Sequence, residues 1–314
     1  MKILTYRVDE KERLGFLSAD GQWVYETKSL GMEYRDMKEL IRGISPSEIQ
    51  LAEYVAKKAP YEQEGVRAVP FEDVTLLAPV PEPGQDIICL GVNYLDHLRE
   101  SREFLQQSES RKPEYPVYFG KRVNRALADQ EEIPPHSGLT DSLDYETELA
   151  VIIGREARNV PESEAASYIF GYTILNDVSA RNIQSRHGQW YLGKSLDGFA
   201  PMGPWIVTAD EIAFPPALSI RTRVNGELVQ DANTADLIFG IATLISDLSQ
   251  GMTLRPGTIL STGTPSGTGV GRKPPCYLKP GDTVECEIEG IGTLTNRIGS
   301  GNGGPEGRQA SGGK

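Results

Sequence analysis

Apolar residues along this chain recur mainly in short runs and alternations of strand length. Lys2–Val8 and Leu14–Leu17 are two such runs, and Asp20-Gly21, between Leu17 and Trp23, is a hairpin signal. Met37–Ile41 and Ser47–Lys57 have helical spacing, with Ser45 or Ser47 placed to cap the second and Glu48 in its first turn. From residue 85 onward strands dominate. Asp86–Leu90, Val117–Gly120, Leu143–Gly154, Gly171–Asn176, Trp205–Thr208, Leu218–Val224, Gly257–Leu260, Thr283–Ile288 and Thr293–Arg297 all read as extended. Asn225-Gly226 is the strongest hairpin signal, because both turn residues tolerate positive φ, and Glu289-Gly290 is a weaker one. Helices are fewer: Asn93–Arg102, Glu162–Ile169, Val178–His187 and Thr234–Leu248. The last carries an apolar stripe of Leu237, Ile238, Ile241, Leu244, Ile245 and Leu248.

This pattern predicts a β-rich α+β (mixed-β) protein in two units. Residues 1–80 read as a small α+β domain, and residues 85–299 as a larger strand-rich one. Between them Leu77–Gly84 holds three prolines, Pro79, Pro81 and Pro83, and reads as a stiff linker. The stretch 300–314 is rich in Gly and has no apolar anchor, so a disordered tail is expected there.

Composition narrows the partners. Forty-four acidic residues against 32 basic give a net charge of −12, which argues against nucleic acid and against an anionic membrane surface. The longest apolar run, Leu149–Ile153, is far short of the ~20 residues a membrane span needs. The N-terminal MKILTYRVDEKE turns charged before a signal-type stretch forms. The three cysteines are odd in number and widely spaced, and only three histidines are present. A disulfide framework or a zinc cluster is therefore a poor match, and a reducing cytoplasm is the expected location.

The candidate chemistry is carboxylate-based. In LDYETELAVIIG, alternation puts Glu146 and Glu148 on one strand face, about 6.6–6.8 Å apart along the backbone. The next residues on that face are the apolar Ala150 and Ile152. Two carboxylates heading into a buried face are costly without a cation, and oxygen ligands at i and i+2 suit a hard divalent metal. A solvated strand face gives the same spacing. Asp177 ends the strand Gly171–Asn176, where it fits either a ligand or a plain helix cap. His97 and Glu100 sit at i, i+3 on one helix, as a general base and its orienter or as a surface pair. Lys194 lies in a loop-like run of small and apolar residues, able to neutralise ligand charge or to stabilise an enolate, or else an ordinary surface lysine in a loop. Arg181 and Gln184 share a helix face after Asp177, fit to hold a substrate carboxylate or simply to be solvated. The loop STGTPSGTGVG from Ser261 lacks the lysine and the following helix of a nucleotide-binding P-loop.

Six motifs in order, GVNYLDHLRES, LDYETELAVIIG, GYTILNDVSARNIQ, LGKSLDGFAPMGPWIV, LSTGTPSGTG and LKPGDTVECEIEGIGTLTNRI, resemble the fumarylacetoacetate hydrolase family. The resemblance runs from about Ile87 to Ile298. It implies a mixed β-sandwich roll as catalytic core, a homodimer, and one Mg²⁺ or Mn²⁺ per subunit (Ca²⁺ being a substitute in crystals). It places Glu146, Glu148 and Asp177 on the metal ligands and His97 with Glu100 on a catalytic dyad in a lid segment. Lys194 falls beside the metal, and Arg181, Gln184 and Thr264 face substrate. The chain departs from the family pattern at Leu196, Gly198 and Thr268, and the lid between Ser101 and Pro116 is polar. The implied reaction is metal-dependent hydrolysis of a C–C bond in a 2,4-dioxo acid of acylpyruvate type. The same site chemistry serves decarboxylation, isomerisation or tautomerisation of oxaloacetate or a hydroxymuconate-type dioate. A module that merely binds small oxo acids would need neither the dyad nor Lys194.

Overall fold

The computed structural model describes residues 1–58, 65–104 and 113–301, with the side chains of 101–104 left aside. The expected tail from 302 onward and the lid residues 105–112 lie outside the described residues.

The alternation seen in the sequence becomes two faces of one sheet. In the strand Thr147–Ile153, Leu149, Val151 and Ile153 enter one hydrophobic core, while Ala150 and Ile152 enter another on the opposite side. Glu148 is therefore on the Ala150 face, as the period of two requires. This strand lies inside an eleven-stranded sheet, paired with Ile169–Asn176 on one side and Ile259–Ser261 on the other. Ile259–Ser261 continues in parallel to Ile87–Leu90, which pairs with Tyr118–Lys121 at the sheet edge. On the other flank Ile169–Asn176 pairs with Met202–Thr208, and Met202–Thr208 with the N-terminal strand Lys2–Val8 through Lys2↔Val207 and Ile3↔Ile206. The first strands thus extend the main sheet. A second sheet of five strands (Glu227–Asn233, Ser219–Val224, Thr283–Ile288, Gly292–Ile298 and Glu132–Ile133) packs over the core holding Leu149 and Val151.

Local signals account for most boundaries. Ser45 accepts from the Glu48 backbone while Glu48 accepts from Ser45 N, a reciprocal capping box that starts the helix Pro46–Lys57. Asn225 and Gly226 have φ of 52° and 81° and turn Ser219–Val224 back onto Glu227–Asn233.

Three elements differ from the sequence expectation. Leu143–Gly154 is two strands, Leu143–Asp144 and Thr147–Ile153. Val178–His187 is helical only from Arg181, because Ser179–Ala180 pairs with Leu143–Asp144 and Arg181 N is taken by Ser142 O. Asp177 is consequently not a helix cap. The Thr234–Leu248 pattern yields a short turn at Thr234–Asp236 and a helix only over Ile241–Gly251. Asn93 explains the delay: its backbone and side chain bond Ile238 N, Phe239 N and Phe239 O, holding that backbone out of the helix.

Candidate active site

Three carboxylates converge where the central strands meet. Glu146, Glu148 and Asp177 each offer an oxygen within 4.8 Å of the others, and all three are buried. Pairing explains the convergence. Asn176 Oδ1 accepts from Glu146 N at 3.0 Å and Asp177 N donates to Glu146 O at 2.8 Å, so the end of one strand is clamped beside the start of its neighbour. Glu148 Oε2 accepts from Ser261 Oγ at 2.5 Å and from Gly263 N at 2.9 Å. Among the described residues its Oε1 has no hydrogen-bond partner.

The surrounding cations are buried as well. Lys194 ends the short helix Tyr191–Lys194 and bridges Glu146 Oε2 at 2.5 Å and Asp177 Oδ2 at 2.7 Å. Lys121 Nζ lies 2.7 Å from Asp177 Oδ1 and donates to the backbone oxygens of Val178 and Lys194. Arg181 donates to Asp144 Oδ2 at 2.8 Å, Glu146 Oε1 at 2.6 Å and Gln184 Oε1 at 3.0 Å.

Electrostatics follow from these contacts. Burial opposes ionisation of Glu146, but Lys194 and Arg181 outweigh it and hold the carboxyl at about 2. Burial pushes Glu148 up to about 8, and the charges of Asp177 and Glu146 add to it. Lys194 suffers the same burial but is raised by Asp177 and Glu146 and stays a cation. Lys121 is pushed down by burial, only partly offset by Asp177. Four buried carboxylates, counting Asp144, face three buried cations, and the deficit falls at Glu148. An all-oxygen donor set with an unpartnered Glu148 oxygen and a missing positive charge fits a hard divalent cation.

A cavity of about 290 Å³ opens beside this cluster, lined by His97, Glu146, Arg181, Gln184, Lys194 and the rings of Phe119 and Trp190 among others. A roomier groove of about 440 Å³ lies among Lys11, Arg13, Glu26 and Tyr34, with the part-buried Arg13–Glu26 ion pair in its lining and none of the candidate residues. His97, on the helix Leu95–Phe104, is 4% exposed, and its Nδ1 lies 3.0 Å from Glu100 Oε2. A carboxylate accepts, so this pairing favours the ring tautomer that carries its proton on Nδ1. Of the nine candidate residues, five (His97, Glu146, Arg181, Gln184 and Lys194) line the cavity, Glu148 and Asp177 join it through the carboxylate cluster, and Glu100 through its contact with His97. Thr264 is buried, does not line the cavity, and accepts from Gln230 Nε2 at 2.9 Å.

Sequence reasoning missed Lys121 and Asp144. Lys121 carried the signal used for Asp177, a charge at the end of an apolar strand. Asp144 precedes Glu146 and Glu148 by the same step of two. It accepts from Arg181 and from the backbone N–H groups of Gly269 and Val270, tying the Gly-rich loop to the carboxylate cluster.

A family model described as fumarylacetoacetate (FAA) hydrolase, C-terminal, matches residues 86–299. The chain belongs to the fumarylacetoacetate hydrolase family. As a member of that enzyme family it is similar to oxaloacetate tautomerase YisK of Bacillus subtilis (strain 168), 44% identical over 250 residues that cover 80% of this chain and 81% of that protein. A fumarylacetoacetate hydrolase from psychrophilic Exiguobacterium antarcticum superposes with a TM-score of 0.78 at 35% identity, covering 95% of this chain and 99% of the other. The 2-hydroxyhepta-2,4-diene-1,7-dioate isomerase of Mycobacterium marinum gives 0.69 at 31% identity, covering 95% and 98%. These likenesses bear out the family and the mixed-sheet fold expected from the motifs. Among the described residues no helix is long and apolar enough to cross a membrane.

Proposed function

We propose that this fumarylacetoacetate hydrolase family enzyme is a divalent-cation-dependent tautomerase of oxaloacetate or a closely related 2-oxo dicarboxylic acid. The observation that carries the reading is the juxtaposition of the buried triad Glu146, Glu148 and Asp177 with a His97 ring that pairs with Glu100 through Nδ1 and lines the cavity beside the triad. The kinship with an oxaloacetate tautomerase and with dioate isomerases supports this outcome over C–C hydrolysis, the first expectation from the sequence.

The triad would hold Mg²⁺ or Mn²⁺, which would supply Lewis-acid polarisation of the substrate's 2-oxo group. His97 Nε2 removes a proton from the carbon adjacent to that group, while Glu100 stabilises the imidazolium through Nδ1–H. Lys194 offsets the negative charge that develops on the 2-oxo oxygen. His97 then returns the proton to that oxygen, so the keto form becomes the enol with no atom gained or lost. Phe119 and Trp190, edge to face at 5.3 Å, wall the cavity against water. A second reading, hydrolysis of a 2,4-dioxo acid, is favoured by the same dyad, since a His–Glu pair also activates water.

The test is ¹H and ¹³C NMR of oxaloacetate and of an acylpyruvate with protein and Mg²⁺. Accelerated keto–enol exchange of oxaloacetate, without cleavage of the acylpyruvate, is expected. Cleavage to pyruvate with no effect on keto–enol exchange establishes the hydrolase instead.

A further inference from the structure

The Gly-rich loop after Ser261 carries no nucleotide motif, yet it is wrapped tightly around Glu100. Glu100 Oε1 accepts from Gly267 N at 3.0 Å. Glu100 Oε2 accepts from Thr268 Oγ1 at 3.2 Å, and the same oxygen meets His97 Nδ1 at 3.0 Å. Thr268 is fully buried, and the Glu100 side chain is 14% exposed. The loop is anchored from behind, where Gly269 N and Val270 N donate to Asp144 at 2.7 and 3.0 Å. Gly271 permits the close approach: a Cβ there would fall 1.9 Å from Glu100 Oε1.

We infer that Thr268 is a positioning residue, its hydroxyl fixing Glu100 and through it the ring state of His97. The inference rests on the role given to the dyad above. The Gly267 N–H can only donate, and a hydroxyl facing an ionised carboxylate donates too. With Gly267 on Oε1 and Thr268 on Oε2, the carboxylate plane is pinned by two adjacent residues of an anchored loop. His97 Nδ1 then meets a fixed acceptor and keeps its proton, on a ring that lines the cavity. Without the hydroxyl, Oε2 retains a single partner among the described residues and the carboxylate turns about its last torsion, which has a broad profile.

The experiment compares Thr268→Val, which keeps shape and removes the donor, with Thr268→Ser, which keeps the donor. Each Mg²⁺-loaded protein is read in two ways. Long-range ¹⁵N NMR of labelled histidine, with His97 assigned through His97→Gln, reports the tautomer. Steady-state kinetics on oxaloacetate reports kcat and KM. Wild type and Thr268→Ser are expected to hold the Nδ1–H tautomer. Thr268→Val is expected to show mixed tautomers and a kcat lower by about tenfold, the scale of one hydrogen bond to a charged group, with KM within about twofold. If Thr268→Val does not fold, Thr268→Ala takes its place with the same expectations. An unchanged tautomer in the donor-less variant overturns the inference, as does a Thr268→Ser as impaired as Thr268→Val. If wild type leaves oxaloacetate untouched, the proposed reaction falls while the tautomer measurement still decides for or against Thr268.

Discussion

Lys121 sets its ammonium 2.7 Å from Asp177 Oδ1 with both side chains wholly excluded from solvent. The pair joins the edge strand Tyr118–Lys121 to the carboxylate cluster, and the same nitrogen holds Val178 O and Lys194 O. Removing one partner leaves an uncompensated buried charge. Lys121→Met is expected to lower unfolding free energy by about 3–5 kcal/mol, measured by urea denaturation. A loss near zero contradicts a charge-compensating role.

Glu148 makes cation binding pH-dependent. Burial and the charges of Asp177 and Glu146 raise its carboxyl from 4.5 to about 8 in the metal-free protein. A carboxyl raised on folding contributes stability that is fully present below its unfolded value and lost as pH rises through the folded value. The metal-free protein therefore loses stability between about pH 4.5 and 8, and a bound cation reverses the trend. Mg²⁺ binding near pH 6.5 is expected to release about one proton, with affinity rising up to about tenfold per pH unit below 8. Calorimetry in two buffers of different ionisation enthalpy measures the release.

On the proposed mechanism His97 serves proton transfer and is not a cation ligand. His97→Ala is expected to lower kcat by about 10²–10⁴-fold, the usual worth of a positioned acid–base group. Mg²⁺ affinity should remain within about twofold of wild type, because no cation ligand is removed. Stopped-flow kinetics together with a Mg²⁺ titration checks both halves.

Arg181 turns all of its contacts inward. Its nitrogens meet Asp144, Glu146 and Gln184, so the residue that the family resemblance placed against substrate also braces a proposed cation ligand. A lysine cannot span two carboxylates as the planar guanidinium does. Arg181→Lys is expected to weaken Mg²⁺ binding by about 10–100-fold, as loss of ligand support does elsewhere. A raised KM at unchanged Mg²⁺ affinity instead makes substrate contact its main role.

Much of the site was legible because strand alternation is rigid. Glu146 and Glu148 had to share a face with Ala150 and Ile152, and the structure buries all four. The hairpin at Asn225-Gly226 and the capping box at Ser45 were legible because their chemistry is local. What local pattern could not show was set by distant partners. Asn93 keeps Ile238 and Phe239 out of a helix their apolar stripe invites. Pairing of Ser179 with Asp144 straightens a segment with helical spacing. Lys121 reads as an ordinary charge at a strand end until Asp177, far along the chain, meets it.

The central claim is that Glu146, Glu148 and Asp177 together hold one functional cation. The most direct measurement is a Mn²⁺ titration followed by electron paramagnetic resonance on wild type and Glu148→Gln. The expected result is one bound ion per chain in wild type and a loss of at least about tenfold in affinity in the variant. Equal binding by the two proteins contradicts the account.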